Sequence, residues 1–202
     1  MKLILFIIFT LSSYVVLFPQ NKSTEIVDMS EIIPGLKIDI KYATKDNFTQ
    51  RKLYTIGKAF GTIPMANSLK LINDSLSKEG LGIIILDAYR PRVIQWLLWE
   101  ITPDPEFVAD PRKGSRHNRG SAVDLTLYDL KTGEEIEMPT PFDEFSERAG
   151  HNYHHLPEDV KNNRDILKNI MTKNGFNKYD AEWWHYNHIE SLDFPLRDFQ
   201  MR

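Results

Sequence analysis

The sequence predicts an α+β domain, and three observations lead there. Runs with helical spacing and runs with strand alternation are interspersed along the chain, and neighbouring strands lie close enough to pair antiparallel. No internal repeat and no linker-like stretch divides the 202 residues. With 42% hydrophobic and 26% charged residues, a chain of this length can bury one good core, so a single domain is expected over residues 21–202.

Residues 1–20 stand apart. Lys2 precedes an uncharged apolar run from Leu3 to Phe18, which is the order of regions in an export signal. The run is shorter than the ~20 residues a spanning helix usually needs. It reads as a signal peptide, with an uncleaved anchor as the alternative because no A-x-A cleavage site follows. The expected location is therefore outside the cytoplasm, in the periplasm or cell envelope. A core helix fits less well, since the run lacks a polar face and leads directly into the loop-like PQNKSTE.

Ile38, Ile40 and Tyr42 then alternate with polar positions, as in a half-buried strand. Met65, Leu69, Ile72 and Leu76 recur at helical spacing, and Gly80 ends that helix where a left-handed residue is wanted. A buried strand is expected at Ile83 to Leu86, running into Asp87 and Arg90. Pro91 suits a first helical turn, and Val93 to Ile101 continues the helix until Thr102-Pro103 breaks it. This places Arg90 at a strand-to-helix junction. The Pro-rich TPDPEFVADPRKG reads as an irregular rim that leads to Ser115.

From Ala122, alternation puts Val123, Leu125 and Leu127 on one face and Ala122, Asp124 and Thr126 on the other, so Asp124 points away from the apolar layer. A hairpin-like connection follows at Lys131, Thr132 and Gly133. Pro157, Val160, Leu167 and Met171 then outline a last long helix, closed by Gly175.

Charge and composition narrow the partners. A net charge of -3 with no basic run argues against nucleic acid, because phosphate binding needs a concentrated Lys/Arg surface. Small or zwitterionic ligands stay open. The chain has no cysteine, so disulfides, Cys-type zinc sites and cysteine lipidation are excluded, and any metal must sit on His and carboxylate.

Two stretches carry that chemistry, SRHNRGSAVDLTL from Ser115 and EWWHY from Glu182. A catalytic zinc takes three protein ligands and keeps a fourth position for water, with a nearby carboxylate as proton shuttle. His117 and Asp124 do not share a face of a regular strand, but they can converge if Gly120 turns the chain. Glu182 and His185 are spaced for a helical turn or for a turn feeding a strand, and not for one straight strand face. The aromatic, β-prone WWHY favours the turn followed by a strand.

The segments KYATKDNF, DAYRP, SRHNRGSAVDLTL, PFDEFSER and EWWHY, in that order, resemble the zinc D-alanyl-D-alanine dipeptidases of the VanX type from about Ile38 to Tyr186. The resemblance implies a small antiparallel sheet with flanking helices, the fold shared by DD-peptidases and the hedgehog signalling domain. It implies His117, Asp124 and His185 as ligands of one zinc per chain, Glu182 as catalytic base and Arg90 as stabiliser of the oxyanion. Tyr42, Ser115 and Asp143 fall where that family recognises a small zwitterionic dipeptide. The stretch between Arg90 and Ser115 is shorter here than in the VanX enzyme of glycopeptide resistance.

The residues also admit plainer readings. Tyr42 can be a structural aromatic, Ser115 a turn serine and Asp143 an exposed loop acid. His151, His154 and His155 read as a polar loop against the site, His188 as a residue beside a ligand supplied by His185, and Trp96, Trp99, Trp183 and Trp184 as core and pocket wall. The implied activity is hydrolysis of D-Ala-D-Ala in cell-wall dipeptide turnover. The alternatives are a D,D- or L,D-carboxypeptidase acting on peptidoglycan stems and a non-catalytic, zinc-stabilised binding domain. Membrane contact is expected only through an uncleaved amino terminus, and the oligomeric state is not legible in the sequence.

Overall fold

A computed structural model describes residues 24–201. The apolar segment read as a signal or anchor lies outside the described residues. Seven strands and three α-helices follow in the order β1 (Ile26–Asp28), β2 (Lys37–Ile38), β3 (Phe60–Thr62), α1 (Ile63–Leu76), β4 (Leu81–Asp87), α2 (Arg92–Ile101), β5 (Ala122–Asp129), α3 (Glu158–Lys173), β6 (Phe176–Tyr179) and β7 (Glu182–His188). The main sheet has the order β2-β4-β5-β7-β6, and β1 pairs with β3 in a separate two-stranded sheet. All main-sheet pairings are antiparallel except that of the short edge strand β2, which runs parallel to β4.

The register explains the core. Ile83 opposes Leu127, Ile85 opposes Leu125, and Val123 opposes Tyr186, so one face of the sheet carries a continuous apolar layer, because opposed residues share a face. All six are fully buried. Helix α1 packs on β4 and α3 on β6 and β7. They bury Met65, Leu69 and Ile72 from α1 and Val160, Leu167 and Met171 from α3, the positions that helical spacing assigns to one stripe. Gly80 does end the first helical stretch, at φ 78 after a short 3-10 turn.

Three expectations are corrected. The strand read through Tyr42 stops at Ile38, and Tyr42 sits in a 3-10 turn, Lys41–Ala43. The side-chain amide of Asn47 donates to the carbonyls of Lys41, Thr44 and Arg51, a local alternative to the ladder that curls the chain. Trp96 is not core. It is 41% exposed on α2, on the side away from Ile94 and Leu98. His151 is no part of a polar loop surface, since it is buried with its ring edge-on to Tyr186 at 5.9 Å, whereas His154 and His155 are exposed. His188 is structural, with its ring nitrogens 2.9 Å from Ser191 Oγ and 3.1 Å from Ser68 Oγ.

Candidate metal centre and substrate pocket

Three adjacent strands set Asp87, Asp124 and His185 in one row. Asp87 opposes Asp124 across β4 and β5, beyond a register irregularity at Ile85/Asp87, and Asp124 opposes His185 across β5 and β7. His117 arrives from the loop side, in a 3-10 turn (His117–Arg119) that Gly120 ends at φ 66. A Cβ on Gly120 would lie 2.9 Å from Ile26 Cδ1, so both backbone conformation and space call for glycine.

The side chains converge. His117 Nε2 is 3.2 Å from His185 Nδ1 and 3.4 Å from one Asp124 oxygen, while His185 Nδ1 is 3.0 Å from the other. The outward nitrogens have acceptors of their own. His117 Nδ1 lies 2.7 Å from the Ala88 carbonyl oxygen and His185 Nε2 lies 3.2 Å from Asn187 Oδ1. An oxygen that can only accept takes the proton of the outward nitrogen, which leaves the inward nitrogen as the one each ring can turn to a cation. Two imidazole lone pairs and a carboxylate turned toward one point form a donor set for a divalent cation, with the outward hydrogen bonds orienting the ligands. Among the described residues this is the one such cluster, with its ligand atoms within 4.8 Å of one another.

Glu182 stands beside it. Its Oε2 is 3.8 Å from His185 Nδ1, although their spacing does not suit a straight strand face. Glu182 is the first residue of β7 itself, where a feeding turn was expected. The strand is irregular at that point: Lys178 opposes Tyr186 and the next residue, Tyr179, opposes Glu182, so one step on β6 matches four on β7. That slip turns Glu182, Trp184 and His185 toward the same cavity.

Charge is finely divided in this row. Burial acts to raise the Asp124 carboxyl, but His117 and His185 outweigh it and hold the group far below the usual carboxylate range. Burial and the nearby Asp124 charge push Glu182 well above that range, with Arg90 opposing. Two carboxyls that both lie against His185 Nδ1 are thus driven in opposite directions, the pattern that separates a permanent anion from a group able to carry a proton.

Arg90 lies within the short loop between β4 and α2. Burial disfavours its charge, but the Asp87 carboxylate leads the groups that keep it protonated. Its Nε and Nη2 donate to one Asp87 oxygen at 3.0 and 2.7 Å, Nη1 donates to Gln95 Oε1 at 3.1 Å, and Nη2 stays 3.8 Å from Asp124. The other Asp87 oxygen accepts from Tyr54 at 2.8 Å.

The remaining expected residues also reach the cavity. Ser115 and Asn118 cap one another, the Ser115 N–H donating to Asn118 Oδ1 at 2.8 Å and the Asn118 N–H to Ser115 Oγ at 3.1 Å, which leaves the serine hydroxyl hydrogen available. Tyr42 is buried, with its hydroxyl donating to Asp143 Oδ1 at 3.3 Å and its ring under the Arg90 guanidinium at 5.2 Å. Asp143 is a non-glycine residue at φ 62, and its Oδ2 is buried without a partner. Burial, then the Asp124 charge, pushes its carboxyl well up. A strained backbone holding an orphaned carboxylate oxygen in a cavity marks a place for a cationic group.

Asp87, Gln95, Asn118 and Asn187 have no role in the sequence reading. Asp87, three residues before Arg90 at the end of a buried strand, had a usable signal, because a carboxylate there needs a cation. The other three orient neighbours through tertiary hydrogen bonds that spacing does not reveal. The cavity holds about 220 Å³, and apolar Leu98, Phe107, Val108 and Trp184 form part of its lining.

An α+β domain with a buried His/Asp/His cluster, an adjacent carboxyl group and an arginine in one small cavity belongs to the class of metal-dependent hydrolases. The chain is a member of the M15 peptidase family described as D-ala-D-ala dipeptidase, whose profile it matches over residues 22–201, and it is accordingly a metallopeptidase. A D-alanyl-D-alanine dipeptidase of Escherichia coli is 39% identical over 178 residues, covering 88% of this chain and 91% of that one. One from Enterococcus faecium is 35% identical, covering 84% and 96%. Another from Enterococcus faecalis is 34% identical, covering 80% and 90%.

Proposed function

We propose that this protein hydrolyses the free dipeptide D-Ala-D-Ala to two D-alanines, with one zinc ion held by His117, Asp124 and His185. The observation that carries the reading is the convergence of those three side chains beside Glu182 and Arg90, in a cavity smaller than the ~300–1,000 Å³ of drug-sized ligand sites. Two imidazoles and one carboxylate, without any thiolate, suit zinc with an open coordination position. When bound, the ion supplies Lewis-acid polarisation and lowers the pKa of attacking water.

The chain's own residues do the rest. Glu182 accepts the proton of the attacking water and returns it to the leaving amine, a role favoured by a carboxyl whose affinity for protons burial has raised. Arg90, locked in its charged form, faces the oxyanion that develops as the carbonyl carbon becomes tetrahedral. The partnerless Asp143 oxygen accepts the substrate ammonium, and the Ser115 hydroxyl donates to its carboxylate. A non-catalytic zinc domain is disfavoured, because a structural ion needs neither a buried acid like Glu182 nor a fixed arginine.

Substrate length discriminates the dipeptidase from a carboxypeptidase acting on stem peptides. An acylated amine cannot pair with Asp143, and losing one partner of a buried charge pair typically costs ~3 kcal/mol or more, over a hundredfold in rate. Zinc-loaded protein should therefore cleave free D-Ala-D-Ala far faster than N-acetyl-D-Ala-D-Ala, and Asp143→Ala should narrow the gap by slowing the free dipeptide. Comparable rates on the two compounds, or faster cleavage of a stem pentapeptide, would sink the dipeptidase reading. We further propose export to the periplasm or cell envelope, on the strength of Lys2 preceding the apolar run to Phe18. Tagged protein found wholly in the cytoplasmic fraction, still carrying Met1, would refute it.

A further inference from the structure

Two neighbours hydrogen-bond the Arg90 guanidinium, which also lies over the Tyr42 ring and 3.8 Å from Asp124, and the way they hold it is uneven. Both Nε and Nη2 donate to the same Asp87 oxygen, because Tyr54 occupies the other. A guanidinium gripped by two separate carboxylate oxygens has its plane fixed, whereas one gripped by a single oxygen can pivot about it. The second anchor is Gln95, whose Oε1 accepts from Arg90 Nη1 at 3.1 Å. Gln95 is fully buried on α2. Its own amide donates from Nε2 to the Ala109 carbonyl at 2.8 Å, and Ala109 lines the cavity from the Pro-rich segment after α2. With these bonds made, each terminal nitrogen of Arg90 keeps one hydrogen for a ligand.

We propose that Gln95 is a positioning residue for the hydrolysis: it fixes the plane of the Arg90 guanidinium and ties that plane to the cavity wall at Ala109. The proposal rests on the assignment of Arg90 to the developing oxyanion. Its two hydrogen bonds have separable consequences. The Oε1 bond sets where the free hydrogens of Arg90 point and so acts on turnover. The Nε2 bond holds the wall segment and so acts on substrate binding.

The test is a double-mutant cycle on the zinc-loaded full chain with free D-Ala-D-Ala, with zinc content and melting temperature recorded for each variant. Gln95→Met keeps the volume and removes both bonds. It should lower kcat on the order of tenfold with a smaller change in KM, and it should lower kcat no further in an Arg90→Ala background. Gln95→Glu keeps an acceptor for Nη1 and loses the donor to Ala109, so it should retain most of kcat while raising KM. If Gln95→Met does not fold, Gln95→Asn, whose shorter arm cannot span both partners, takes its place with the same expectations. A loss that remains undiminished in the Arg90→Ala background, or equal losses of kcat in the Glu and Met variants, would overturn the proposal. An Arg90→Ala protein with normal kcat would be a different result, removing the oxyanion role of Arg90 and the proposal along with it.

Discussion

At the scale of single residues, the proposed function requires the site to separate holding a metal from moving a proton. His117 and His185 each have the outward nitrogen engaged, by Ala88 O and Asn187 Oδ1, which leaves the inward nitrogens as the proposed ligands. His185→Ala should therefore lose most of its bound zinc while staying folded, as read by metal analysis after gel filtration. A folded variant with a full complement of zinc would dismiss the ligand assignment. Glu182 lies near His185 Nδ1 at 3.8 Å, and its raised pKa suits the other proposed role, that of a carboxyl able to take up a proton. Glu182→Ala should keep its zinc and lose several orders of magnitude in kcat. Retained turnover would move the base elsewhere.

At the scale of elements, the site depends on two departures from regular structure. One is the register slip between β6 and β7, which lets Glu182 and His185 share a cavity. The other is the left-handed Gly120, which turns His117 back toward Asp124. Gly120→Ala should cost roughly 1–3 kcal/mol from the positive φ alone, added to the 2.9 Å approach of Ile26. It should also weaken zinc affinity, because His117 would leave its position against Ala88. Equal zinc affinity in Gly120→Ala and wild type, measured by competition with a chromophoric chelator, would show that the turn does not set the ligand. These departures also mark what a sequence can disclose. The stripes of α1, α2 and α3 and the alternation of β5 were legible, since helical and strand periods leave a residue-by-residue trace. The short β1, β3 and β6 leave no such trace, because three or four residues hold too little of a period. The 3-10 turn at Tyr42 was hidden because Ile40 and Tyr42 are buried either way, so alternation survives without a ladder. His117, Asp124, Glu182 and His185 were legible by residue type and motif order, while Gln95 and Asn187 act through tertiary hydrogen bonds with no local signature.

At the scale of the whole molecule, the domain carries buried polar groups on both sides of its central strands, and these make its stability depend on pH. Tyr186 on β7 projects away from the cavity into the layer beneath α3, where it meets His151. The two ring nitrogens of His151 are buried without partners. Burial first, and then the charges of Lys178, Arg164 and Lys168, depress the His151 pKa from 6.5 to about 3. The folded protein therefore binds fewer protons here than the unfolded chain wherever the pH lies between these values. Stability from this residue is complete above pH 6.5 and declines as pH falls toward about 3. Asp124 acts in a lower window, since its depressed carboxyl withdraws stability only as pH falls below its ordinary value of 3.8. Between pH 7 and pH 5, His151 alone should cost about 2 kcal/mol, at ~1.4 kcal/mol per pH unit once the unfolded histidine is protonated. Urea unfolding of metal-free wild type and His151→Gln at both pH values isolates that share, because every other ionisable group is common to the two proteins. The variant should start less stable or equal at pH 7 and lose clearly less on acidification. Parallel losses in the two proteins would show that His151 is already protonated or hydrated in the fold, and that the acid sensitivity of the domain arises elsewhere, with His188, whose pKa burial also lowers, the next residue to test.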